Sequence, residues 1–94
     1  MTAVELLNKV KTGLGVNGTY QDSTITLYIN EVKAFLKSSG VHESVINSDS
    51  AVGVIIRGVS DLWTLEGGSV RFSDYFNKRV IQLSLEPPIE VEDV

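Results

Sequence analysis

The sequence predicts an all-α domain, a small bundle of about four helices with an extended acidic C-terminal tail. Three observations lead there. From Ser48 to Leu65 apolar residues return at helical spacing, cap and stop residues bracket three further amphipathic stretches, and Pro87 with Pro88 forbids any helix beyond Glu86. The helical domain is expected over residues 1–85 and the tail over residues 86–94.

The first helix is expected from Ala3 to about Thr12. Thr2 stands at its N-cap and Glu5 completes a capping box, a pairing worth about 1 kcal/mol. Val4, Leu7, Val10 and Leu14 lie at helical spacing, and Gly13 with Gly15 supplies a stop. The second helix is capped by Asp22 or Ser23 and ends at Gly40, with Ile25, Tyr28, Ile29, Val32, Phe35 and Leu36 along one face. Val41 to Asn47 reads as a connection that holds at most one helical turn.

Ser48 to Leu65 is the expected core helix. Its main face is Val52, Ile55, Ile56, Val59, Leu62 and Trp63, with Ala51, Val54 and Gly58 as a second strip of small residues. Gly53 and Gly58 each cost about 1 kcal/mol against Ala inside a helix, and close approach of another backbone is a common compensation. A buried Trp63 ring would make Trp63→Ala cost about 3–5 kcal/mol. Glu66 to Ser69 then break the pattern, and Ser73 caps a last helix from Asp74 to Leu85, onto which Phe72 staples. Tyr75 or Phe76, then Val80 and Leu83, continue the apolar face there, and Tyr75, Phe76 and Val80 are expected in the core.

Charge and composition exclude several classes of function. The net charge is −4, and all of it sits in residues 86–94, since residues 1–85 carry eight acidic and eight basic side chains. A neutral body offers no basic face for tight, salt-driven nucleic-acid binding. There is no cysteine, so thiol chemistry, disulfides and the usual structural zinc sites are excluded. No apolar run reaches the length of a membrane span and the N-terminal residues do not read as a signal peptide, so a cytoplasmic product without membrane contact is expected.

Candidate motifs yield no catalytic chemistry. Gly13, Gly15 and Gly18 match a dinucleotide-binding glycine pattern, but that loop needs a preceding strand and a helix directly after it, and here a helix precedes it. His42 is the single histidine and has no Cys or second His to share a metal. No paired acids, activated nucleophile or phosphate-binding loop survives inspection, so neither an enzyme nor a cofactor site is expected.

The order of parts resembles that of the small head–tail connector, or adaptor, proteins of long-tailed bacteriophages. The residues that carry the resemblance are the run Ala51 to Trp63, AVGVIIRGVSDLW, and the run Phe72 to Leu83, FSDYFNKRVIQL. The second is similar to the closing helix of connectors from phages of low-GC Gram-positive hosts. The chain departs from that pattern at Trp63, where a tyrosine is common, and at Asp74, where proline is common. The resemblance implies a structural protein of the virion neck, made in the host cytoplasm. It would form a homo-oligomeric ring under the portal protein, extend the DNA channel without sequence-specific binding, and join the filled head to the tail or next neck protein. The segments it offers for partner contact are the loop, with Glu66, Gly67, Gly68, Val70, Arg71 and Phe72, and the tail, with Ile89 and Val91 as anchors.

The rival class is a small helix-turn-helix-like DNA-binding regulator. Its candidate recognition helix is Asp74 to Leu85, which displays Asn77, Lys78, Arg79 and Gln82.

Overall fold

The computed structural model describes residues 1–63 and 72–89. Among them the chain forms five helices and no strand: α1 (Ala3–Leu14), α2 (Asp22–Ser38), α3 (Glu43–Ile46), α4 (Asp49–Trp63) and α5 (Asp74–Ser84). α4 is the centre, and the other four helices all pack on it. The fold is all-α, as the spacing of apolar residues predicts.

α1 starts on the expected cap: the Glu5 N–H donates to Thr2 Oγ1 at 3.1 Å, and the Thr2 hydroxyl donates in turn to Glu5 Oε1 at 3.1 Å. The helix runs through Gly13 and stops at Gly15, whose φ of 72° is open to glycine at little cost. Gly13 is therefore a contact residue as well as punctuation. A Cβ there would lie 2.6 Å from Ile56 Cγ2, so its missing side chain sets how closely α1 meets α4. The buried positions of α1 are Leu6 and Val10, while Val4 is exposed.

α2 follows the predicted face, with Ile25, Ile29, Val32 and Leu36 buried and Tyr28 and Phe35 packed beside them. Its start differs from the expected side-chain cap. Gln21 occupies the N-cap without a side-chain bond, and Asp22 instead forms a 2.7 Å ion pair with Lys11, whose ammonium also donates to the Gly18 carbonyl. That pair ties the α1–α2 loop across its base. At the other end the Val41 N–H reaches the Leu36 carbonyl at 3.1 Å across Gly40, which has φ 91°. Val41, Val45 and Ile46 then drop into the core, giving the connection a structural role that periodicity over longer windows misses.

The core face of α4 is rotated from the one predicted. Ala51, Val54, Ile55, Gly58, Val59 and Leu62 are buried, whereas Val52, Ile56 and Trp63 are only partly covered. Helices converge on α4 from several sides, so the small residues line the closest approaches and the larger ones fill the edges. Gly58 is the tightest point: a Cβ there would lie 2.5 Å from Phe76 Cε1 and 2.9 Å from Val32 Cγ2. Gly53 differs from expectation, because a Cβ there would meet no heavy atom within 4 Å. Trp63 sets its ring edge-on to Tyr28, with centroids 6.2 Å apart, and is not enclosed. The full cost of a buried tryptophan therefore does not apply to it.

α5 is capped by Ser73, whose Oγ accepts from the Phe76 N–H at 3.2 Å. Phe76, Val80 and Leu83 face inward. Tyr75 is 60% exposed and does not belong to the core, because the spacing i, i+4, i+7 that joins Val80 and Leu83 selects Phe76 and turns its neighbour outward. Phe72 stacks on Phe76 with centroids 4.4 Å apart and leans on Phe35 at 4.9 Å, closing α5 onto α2.

Candidate assembly surfaces

Polar ties fasten the helix junctions, and three basic side chains, Lys9, Lys11 and Arg57, take part in ion pairs among the described residues. Asp61 Oδ2 accepts from both the Ser73 N–H at 3.0 Å and the Ser73 hydroxyl at 2.8 Å, while its Oδ1 lies 3.3 Å from Arg57 Nε. The Asp61 carboxylate thus fastens the end of α4 to the start of α5. Lys11 is taken by Asp22, Lys9 lies 3.9 Å from Asp49, and Arg79 donates to Gln82.

What remains exposed and uncommon is apolar. On α5 and its C-cap residue Leu85, Tyr75 is 60%, Ile81 61% and Leu85 79% exposed; at steps of three to four residues these positions share one outer face with Lys78 and Gln82. On α2, Leu27 is 64% exposed and stands beside a shallow groove of about 220 Å³ lined by Tyr28, Glu31 and Leu62. A second open groove, about 200 Å³, runs between α1 and α2 past Val4, Leu7, Ile29 and Lys33. A third, about 430 Å³ and wide open, lies between α1 and α4 over Val52 and Ile56. Open apolar grooves of this kind fit side chains of another protein better than they enclose a small ligand.

The expected contact residues fare differently. Glu66, Gly67, Gly68, Val70, Arg71 and Val91 lie outside the described residues. Phe72 is not a free contact residue, since its ring is spent on Phe35 and Phe76. Ile89 is about half exposed, and its N–H donates to Ser44 Oγ at 2.9 Å, so the chain leaves α5 alongside α3. The surfaces on α5 and α2 were not anticipated. The signal for them was present as apolar residues left over once the core stripe is assigned: Tyr75, Ile81 and Leu85 on α5, and Leu27 on α2.

His42 is exposed at the start of α3, and among the described residues no group of His, Asp or Glu is placed to hold a metal. No described helix is long and apolar enough to cross a membrane. Comparison with protein-family models, with curated proteins and with solved structures finds no match for this chain.

Proposed function

We propose that this chain is a structural assembly protein of a phage neck, an adaptor that forms a ring beneath the portal, extends the DNA channel and joins the filled head to the tail or to the next neck protein. The observation that supports an assembly role is the set of separate exposed apolar surfaces, on α5, on α2 and between α1 and α2, carried by one small helical body. α1 and α5 pack on α4 without substantial contact with each other, so a subunit has distinct faces to offer. Distinct faces that fit each other head to tail generate rings when the rotation closes. The assignment to the neck rests on the resemblance of Ala51 to Trp63 and Phe72 to Leu83. The neutral body suits a channel that DNA must traverse without being held.

The test is the mass of the full chain by light scattering over a wide concentration range, with negative-stain images and a parallel incubation with portal-bearing heads. Closed rings with a central opening, or specific incorporation into those heads, support the reading. A chain that remains monomeric, fails to join the heads and shifts duplex DNA at moderate salt would replace it with the regulator. The tail is tested in the same assay. If Ile89 and Val91 anchor the ring on its neighbour, a chain ending at Leu85 folds but is not incorporated.

A further inference from the structure

We infer that the subunits meet through two helix faces, the outer strip of α5 on one copy lying antiparallel on the outer strip of α2 on the next, with Lys78 against Glu31. This rests on the self-assembly reading above and names its interface.

The α2 strip is Thr24, Leu27, Glu31, Ala34 and Ser38, all exposed and all within one narrow sector of the helix. The α5 strip is Tyr75, Lys78, Ile81 and Leu85, likewise exposed. Placing Lys78 opposite Glu31 in an antiparallel pair brings Ile81 onto Leu27, Tyr75 onto Ala34 and Leu85 onto Thr24. At the centre one charged pair lies beside one apolar pair, and a large side chain faces a small one at both ends. Such alternation lets two helices approach to ordinary packing distance without a clash.

Charge selects this pairing over the other grooves. Neither Lys78 nor Glu31 has an ion-pair partner among the described residues, whereas Lys9, Lys11 and Arg57 are already paired. The groove between α1 and α2 carries Lys33, which would set a positive charge against Lys78. Glu31 is one turn from exposed Leu27, and Lys78 is one turn from exposed Ile81, so a single docking satisfies both the charge and the apolar contact.

One helix on one helix is a small interface. It falls at the low end of specific contacts, where an isolated pair dissociates readily. A ring changes this, because every subunit uses its α5 strip on one neighbour and its α2 strip on the other, and closure makes the last contact intramolecular. The expectation is therefore weak association of free copies and cooperative assembly of the closed ring.

The absence of cysteine from the chain allows a clean test. Full-length Leu27→Cys and Ile81→Cys copies, one carrying a size tag, are mixed under oxidising conditions and compared with Tyr20→Cys, which is 95% exposed on the α1–α2 loop, paired with the same partner. The expected result is a covalent Leu27→Cys to Ile81→Cys heterodimer well above the Tyr20→Cys background. Lys78→Glu or Glu31→Lys alone should weaken association about tenfold or more, and the copy carrying both reversals should recover it. A yield no greater than background overturns the interface, as does a stronger cross-link between Tyr75→Cys and Leu27→Cys, which would mark a parallel pair. Rings that form with no response to either reversal overturn this interface while leaving the ring reading intact. A chain that neither cross-links nor assembles, alone or on portal-bearing heads, overturns both.

Discussion

Gly58 and Gly13 both stand where one helix comes unusually close to another, and a Cβ at either would fall under 3 Å from a neighbouring side chain. The neighbours differ. Gly58 is buried and faces the Phe76 ring and the branched Val32, two fully enclosed side chains on two different helices. Gly13 is exposed and faces Ile56, which is only partly covered and borders the open groove between α1 and α4. The same local rule, a glycine inside a helix marking a close approach, thus has a rigid form in the core and a yielding form at its edge. Gly53 completes the comparison, because on the same α4 helix a Cβ there would meet no atom of another element within 4 Å.

The largest expected effect comes from removing what fills the notch. Phe76→Ala should destabilise by about 3–5 kcal/mol, read as the midpoint of a denaturant titration. A loss under about 1 kcal/mol would mean that α5 is not part of the cooperative core. Filling the notch is the next test: Gly58→Ala gains helix propensity but overpacks two enclosed side chains, for a net loss of about 1–3 kcal/mol. Gly13→Ala should cost clearly less, within about 1 kcal/mol of neutral, since Ile56 can turn into the groove. Equal losses at the two glycines would show that both approaches are equally rigid and would break the contrast. Gly53→Ala, with open space around it, should stabilise by about 1 kcal/mol, a rise of about 4–8 °C in Tm for a domain of this size.

Much of the helical plan was legible because its signals are local. Thr2 with Glu5, Ser73, Gly15 and Gly40 act through their own turns, so their effects can be read from adjacent residues. The orientation of α4 was not legible in the same way. Periodicity gives Val52, Ile56 and Trp63 to the main face and Ala51, Val54 and Gly58 to a second packed strip; both strips were legible, but not that convergence of several helices makes the small-residue strip the deeper one. Burial there is decided by partners distant in sequence. Tyr75 and Phe76 show a recoverable case, since extending the spacing to Val80 and Leu83 chooses between them. Asp22 illustrates the opposite: its residue type suggests a cap, but the nearby Lys11 ammonium takes its carboxylate. The assembly surfaces were hidden for a simpler reason. Leu27 and Ile81 break the amphipathic pattern of their helices and read as noise until the core has been assigned.

Trp63 is the single indole of the chain, set 6.2 Å from Tyr28 at the seam of α2 and α4, beside the groove that Leu27 and Glu31 border. That placement gives the protein an intrinsic optical reporter. Tyr28 lies within energy-transfer range of Trp63 while the two helices are together, so a fall in tyrosine-to-tryptophan transfer should mark unfolding. The ring is also only partly shielded from water, which makes its emission maximum sensitive to whatever covers the neighbouring groove. A blue shift that grows with concentration in the native chain, and is absent in Glu31→Lys, would follow subunit docking without any added label.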